Sequence, residues 1–197
     1  MYDTLKRTVC EANIKLFSSG LDPFEKGGIS AADRRHGIAV IRPALPYSEL
    51  TYEKMTVISL SDGAVVEGEF GCACDIAHHL SVYKAFNNIG SVSHITASNT
   101  LAWAQAKRTI PVCGDIHKSV FAYPVYCVDC AAKNFGSSIK LLLNSEGVSE
   151  LPPAVLLSGS SGFAFGEKCA EAYSYAEKLE LIADSAFKTE YLSSLSD

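Results

Sequence analysis

Hydrophobic and polar positions follow two different periods along the chain, and the change from one to the other marks the predicted elements. Residues 2–19 place apolar side chains three or four positions apart, which predicts an amphipathic helix that ends at Gly20. Within residues 90–106 the period changes from that of a strand to that of a helix, with Val92 and His94 on one face of the strand. Side chains at such a corner sit on a rigid scaffold, and functional residues are common there.

The same periods assign most of the remaining chain to strands and helices. The sequence predicts strands at 38–41, 55–60, 64–67, 109–113, 122–128, 154–157 and 163–165, and helices at 75–86, 131–144 and 167–183, the last with a helical continuation. Residues 61–63 are typical of a hairpin turn, and residues 114–121 of a loop. Since strand pairs and helices alternate, the predicted class is α/β with a mixed or antiparallel sheet.

Composition narrows the function classes. With 197 residues, of which 48% are hydrophobic and 20% charged, the chain is expected to form a single domain over residues 1–197. The formal net charge of −5 offers no basic surface for nucleic acid. No apolar run approaches the roughly 20 residues that span a bilayer, which argues against a membrane protein. Seven irregularly spaced cysteines and no export signal indicate reduced thiols and a cytoplasmic location.

Several short stretches occur in the order and spacing of a known family. They are Leu5-Lys6-Arg7, Ile29-Ser30-Ala31, Val40-Ile41-Arg42-Pro43, Tyr83-Lys84-Ala85-Phe86, Trp103-Ala104-Gln105-Ala106 and Phe163-Ala164-Phe165-Gly166. On these residues the chain resembles, from residue 2 to about residue 183, the class II aldolase/adducin family, and most closely its L-ribulose-5-phosphate 4-epimerases. The resemblance implies a three-layer α/β/α fold with a central, mostly antiparallel sheet. It also implies a homo-oligomer, namely a tetramer with active sites between subunits.

The resemblance also implies where a metal would be held. The family uses zinc bound by three histidines, which stabilises the enediolate formed when a carbon–carbon bond of a sugar phosphate breaks. One ligand position falls on His94, and the other two fall on Thr96 and Ser160. A neutral hydroxyl is a poor zinc ligand. We therefore expect no bound cofactor, and zinc only if the site has been rebuilt.

The remaining site positions are inferred from the same resemblance. The carboxylate that moves a proton falls on Asp75, which is explained equally well as the N-cap of the following helix. Gly28, Arg42, Cys74 and His117 are the candidate substrate-binding residues. Several phosphate-binding positions of the family are changed, among them a serine-glycine turn that is replaced by two apolar residues. The small-molecule ligand is left unknown.

Two cysteine groups offer other metal-ligand types. Cys72, Cys74, Asp75 and His94 could converge as a replacement metal site, and Cys127 and Cys130 have the spacing of one zinc knuckle. A knuckle without a second copy is a weak zinc signal.

Three interpretations of function stay open at this point. The first is a non-catalytic family member that binds a ligand or a partner, because the changed positions all fall around one pocket in an otherwise intact scaffold. The second is an active sugar-phosphate epimerase or aldolase with a rebuilt metal site. The third is an artificially altered family sequence with no native role.

Overall fold

The computed structural model describes residues 2–69, 71–72 and 76–195 of the chain. Within these ranges the strands are β1 Gly28–Asp33, β2 Ile38–Ile41, β3 Thr56–Ser59, β4 Val65–Glu67, β5 Ser91–Ile95, β6 Cys127–Val128, β7 Ala154–Leu157 and β8 Ser161–Gly166. The helices are α1 Asp3–Ser18, α2 Ile76–Ala85, α3 Ser98–Gln105, α4 Asp115–Phe121, α5 Phe135–Ser145 and α6 Cys169–Ser194. None of the described helices has the length and apolar character that crossing a membrane requires.

The eight described strands form one sheet in the order β4-β3-β2-β1-β5-β8-β7-β6. Neighbouring strands are antiparallel throughout, except that β6 runs parallel to β7. The strand β5 lies near the middle, where His94 is opposite Gly28 of β1 on one side and Phe163 of β8 on the other. The predicted central, mostly antiparallel sheet is confirmed.

Helices cover both faces of this sheet, because successive side chains of each strand point to opposite faces. On one face Ile29, Ile95 and Leu156 belong to a core that also takes side chains from α1, α3 and α6. On the other face Val92 and Phe163 belong to a second core, formed with α2 and α5. The three-layer α/β/α prediction is therefore confirmed.

The region between residues 109 and 128 differs from the prediction of two strands around a loop. Residues Asp115–Phe121 form the helix α4, which places Phe121 in the core at 1% exposure. Ile110 and Val125 make only an isolated bridge, and the strand β6 has two residues. The prediction of a loop over residues 114–121 is therefore wrong, because seven residues give too little periodicity to predict a helix.

The corner after β5 is fixed by a side chain distant in sequence. The N-cap of α3 is Ala97, which has no side chain that could accept a hydrogen bond. The Glu180 carboxylate on α6 takes that role and accepts the backbone N–H groups of Asn99 and Thr100, each at 2.9 Å. The corner is thus held against α6 by a charge-assisted cap.

Candidate functional site

The three positions at which the resemblance places the metal ligands lie together. His94 at the end of β5, Thr96 just after it and Ser160 in the β7–β8 turn all line one open pocket of about 390 Å³. The antiparallel pairing of β5 with β8 brings them together, since it sets Ile95 opposite Gly162. The pocket is completed by Phe24, Lys26, Leu101, Gln105, Gly159 and Ser161.

The His94 ring is mostly enclosed by the core behind the pocket. The residue is 8% exposed, and its ring stacks on Phe163 with centroids 4.4 Å apart and planes at 8°. The His79 ring lies 6.3 Å from it, edge to face. One imidazole face is therefore occupied by an aromatic ring, although the residue still contributes to the lining of the pocket.

The Thr96 hydroxyl is already engaged in a hydrogen bond with Asp22. It donates a hydrogen bond of 2.6 Å to Asp22 Oδ1. Asp22 is fully buried and also accepts hydrogen bonds from the Tyr47 hydroxyl at 2.9 Å and from the backbone N–H groups of Lys26 and Gly27. Asp22 was not predicted as a functional residue, because a lone Asp between Leu21 and Pro23 carries no recognisable motif.

The candidate substrate-binding residue Arg42 is 1% exposed and faces the backbone of the preceding loop. Its guanidinium donates to the carbonyl oxygens of Gly27, Leu45 and Glu25 at 3.2, 3.1 and 2.6 Å. It also lies 4.0 Å from the Asp22 carboxylate. The buried charges therefore offset one another, and the guanidinium holds the loop in place.

The glycines of this loop allow it to approach β5 closely. A Cβ at Gly27 would lie 2.1 Å from the carbonyl oxygen of His94, and one at the candidate residue Gly28 would lie 3.1 Å from Asn13 Oδ1. Asn13 also accepts the Ile29 N–H and donates to the Ile29 carbonyl, each at 2.8 Å. The loop is thereby fixed between α1 and β5.

A buried polar chain lies behind His94. Ser30 Oγ is 2.7 Å from both His79 Nδ1 and the Tyr83 hydroxyl. Burial lowers the pKa of His79 well below its usual value, with smaller contributions from the neighbouring His94 and His78. His79 is therefore neutral at physiological pH.

The remaining sequence-predicted residues do not join the pocket. His117 lies on α4, where its Nε2–H donates to the Tyr123 carbonyl at 3.0 Å, and burial lowers its pKa. It is not among the residues that line the pocket. Asp75 and Cys74 lie outside the described residues, so the replacement metal site built on them lies outside as well.

Cys127 and Cys130 do not form a shared metal site. Cys127 packs against the core that includes α6, whereas Cys130 packs against the core on the opposite face of the sheet. Burial raises the pKa of both thiols. Within residues 2–69, 71–72 and 76–195, no group of three or more His, Cys, Asp or Glu is arranged to hold a metal ion.

The donor set of the pocket does not suit zinc. Tetrahedral zinc takes imidazole, thiolate or carboxylate ligands. The three ligand positions supply one imidazole and two neutral hydroxyls, and the hydroxyl of Thr96 is already bonded to Asp22.

Comparison with known proteins identifies the scaffold. A family model described as Class II Aldolase and Adducin N-terminal domain matches residues 7–187. A structure named L-fuculose 1-phosphate aldolase superimposes with a TM-score of 0.82 at 18% identity and covers 96% of this chain and 87% of that chain. An L-fuculose-1-phosphate aldolase from Thermus thermophilus gives 0.75 at 18% identity, and a sugar-phosphate aldolase from Thermotoga maritima gives 0.71 at 20%, each over 96% of both chains. At sequence identities of 18% and 20%, these structural similarities show only that the proteins share a fold.

Proposed function

Because the chain belongs to the class II aldolase and adducin family, we propose that it is a ligand-binding member whose metal-dependent catalysis is impaired. The observation that carries this proposal is the donor set of the pocket, in which the imidazole of His94 stands beside the hydroxyls of Thr96 and Ser160. Members of the family are usually zinc-dependent, so a weak metal site removes the Lewis acid that their chemistry needs.

The expected loss of metal affinity is large. A full set of strong ligands binds structural zinc with about 10–16 kcal/mol. Two of the three imidazoles are replaced here, and a Thr96 oxygen that turned toward a metal would give up its hydrogen bond to the buried carboxylate of Asp22. The loss of this hydrogen bond from the buried Asp22 carboxylate would lower the metal affinity further.

An activity assay with a restoring variant tests the proposal. The purified chain, supplied with zinc, is assayed with L-ribulose 5-phosphate and L-fuculose 1-phosphate. We expect no turnover, whereas a rate of about 1 s⁻¹ or faster would be that of an ordinary enzyme and would reject the proposal. The double variant Thr96→His/Ser160→His restores histidine at both changed positions, and its zinc binding is measured in parallel. It should bind zinc more tightly than the wild-type chain if the ligand positions are correctly assigned.

One alternative is favoured by the comparisons. Similar structures that cover 96% of this chain are named as sugar-phosphate aldolases. An active zinc-dependent aldolase or epimerase with a rebuilt metal site would agree with those names. The same assay decides between the two functions, since that enzyme would turn over substrate and would lose its activity with the variant His94→Gln.

We also propose a homo-oligomer in a reducing compartment such as the cytoplasm. Large apolar side chains are exposed from the middle of α6 to the residue that follows it and would be buried by contact between copies; they are Leu181, Phe187, Tyr191, Leu192 and Leu195. The six described cysteines that are assigned as free thiols support the reducing compartment. Light scattering of the purified chain should give a multiple of 21.1 kDa, such as the tetramer, and a monomer would contradict this part.

A further inference from the structure

A second cavity, of about 460 Å³, lies between α3 and the second half of α6. None of its described lining residues lines the pocket beside His94. Leu101 and Gln105 of α3 line that pocket, whereas Ala102 and Ala106, on an adjacent side of the same helix, line the cavity. The cavity is completed by Asn99, Trp103, Arg108, Phe187, Glu190, Tyr191 and Ser194. Its volume is that of a small-molecule site.

The floor of the cavity is a tryptophan in a fixed position. Trp103 is 5% exposed, and its Nε1–H donates to the Ala183 carbonyl at 2.9 Å. Phe187 and Tyr191 line the same cavity and are 58% and 57% exposed. Aromatic rings stack on one another or meet edge to face, and the contact also buries apolar surface. The cavity therefore suits a ligand with a planar aromatic ring.

The turn that ends α3 places a cation over this ring. The Lys107 N–H donates to the Ala104 carbonyl at 3.0 Å, and the Arg108 N–H donates to the Trp103 carbonyl at 3.2 Å, which is the pattern of a Schellman motif. Lys107 has a φ of 57°, a left-handed conformation that is unfavourable for residues other than glycine. The turn brings the Arg108 guanidinium to 5.1 Å from the centre of the Trp103 ring.

An exposed ion pair borders the aromatic lining. Arg108 Nη2 donates to Glu190 Oε1 at 2.9 Å, and among the described residues that line the cavity these two are the charged ones. Exposed ion pairs contribute little stability, so this pair can open for a ligand. A carboxylate alone would displace Glu190 from the guanidinium, and an ammonium alone would displace Arg108 from the carboxylate. A ligand that carries both groups gives each side chain a new partner.

From these contacts we infer that the cavity binds a free aromatic amino acid. The ring of the ligand packs against Trp103, its carboxylate accepts hydrogen bonds from the Arg108 guanidinium, and its ammonium donates to the Glu190 carboxylate. This site goes beyond the proposed function, because it shares no described lining residue with the pocket beside His94.

The cavity and the outward face of α6 are different surfaces. Leu181, Leu192 and Leu195 are exposed, and the helical period of 3.6 residues places all three on that outward face. Phe187 and Glu190 lie on the side of the helix that borders α3. Copies of the chain that associate through the three leucines therefore leave the cavity accessible.

The emission of Trp103 reports binding directly, because it is the chain's only tryptophan and lines the cavity. The chain is titrated with phenylalanine, whose ring does not absorb where tryptophan is excited selectively. Three controls each lack one feature: hydrocinnamate lacks the ammonium, phenethylamine lacks the carboxylate, and alanine lacks the ring. We expect phenylalanine to bind about tenfold or more tightly than each control. No binding of phenylalanine, or equal affinity for any control, would overturn the inference.

Matched variants locate the site, with calorimetry as the readout because Arg108 contacts the tryptophan. Arg108→Gln and Glu190→Gln should each weaken phenylalanine binding about tenfold or more, since each removes a charge-assisted hydrogen bond. Lys188→Gln breaks another ion pair of α6, that with Asp184, and should leave binding unchanged. Ser160→Ala alters the pocket beside His94 and should also leave it unchanged. Unchanged binding by Arg108→Gln or by Glu190→Gln, or a loss with Ser160→Ala, would overturn the inference.

Discussion

Asp22 is the residue around which the candidate pocket is built. Its buried carboxylate joins the loop that carries Lys26, the end of β5 through Thr96, and the segment after β2 through Tyr47. The guanidinium of Arg42, 4.0 Å away, offsets its charge. These contacts give Thr96 a structural hydrogen bond, at a position where the resemblance places a zinc ligand.

Replacing Asp22 by Asn should destabilise the fold strongly. The amide nitrogen would meet N–H or O–H donors that now approach a carboxylate oxygen, and the buried Arg42 would lose its counter-charge. We expect a loss of about 3 kcal/mol in the free energy of unfolding, measured by urea titration. The exposed Asp129→Asn is the control and should change stability by less than about 0.5 kcal/mol. Equal stability of Asp22→Asn and the wild-type chain would contradict the network.

The buried histidines should make the fold sensitive to acid. Burial lowers the pKa of His117 in the folded state, so the unfolded chain binds the proton more readily below about pH 6.5. The stability that comes from the neutral ring is complete above that pH and is lost as the pH falls. The variant His117→Gln should therefore lose less stability than the wild-type chain between pH 7 and pH 5 in urea titrations. An unchanged pH dependence would show that the imidazole is not held neutral by the fold.

Many elements of the fold could be predicted because local sequence patterns determine them. The helix α1, the hairpin of β3 and β4 and the pair β7 and β8 follow from local periodicity and turn residues. The helix α4 could not be predicted, because its seven residues are too few for a clear period. The cap that Glu180 provides to α3 was equally hidden, since it joins residues about 80 positions apart.

The approach of the first loop to β5 can be tested at Gly27. A Cβ there would lie 2.1 Å from the His94 carbonyl oxygen, so Gly27→Ala must displace backbone, and we expect a loss of about 3 kcal/mol. Gly20→Ala is the matched control, because Gly20 has open space but a φ of 73°. Strain alone should lower its stability by about 1 kcal/mol. If both variants lose the same amount in thermal unfolding, the close packing against His94 is not what requires glycine.

At the scale of the whole molecule, scaffold and site were predictable to different degrees. The scaffold stretches identified the family, and the convergence of His94, Thr96 and Ser160 followed from the strand pairing that the family implies. The residue types alone showed that two of the three positions assigned to zinc ligands by the resemblance carry no imidazole. The role of Asp22 could not be inferred in this way, because it depends on a loop with no recognisable motif and on contacts across the sheet.

The retention of zinc by the purified chain tests most directly whether the metal site has been lost. The chain is loaded with excess zinc, dialysed against buffer without metal, and analysed by elemental mass spectrometry, with Thr96→His/Ser160→His treated in parallel. With only one imidazole among the three ligand positions, we expect less than about a tenth of an equivalent in the wild-type chain and a clear gain in the variant. Close to one equivalent of zinc in the wild-type chain, lost with His94→Gln, would contradict the proposed function.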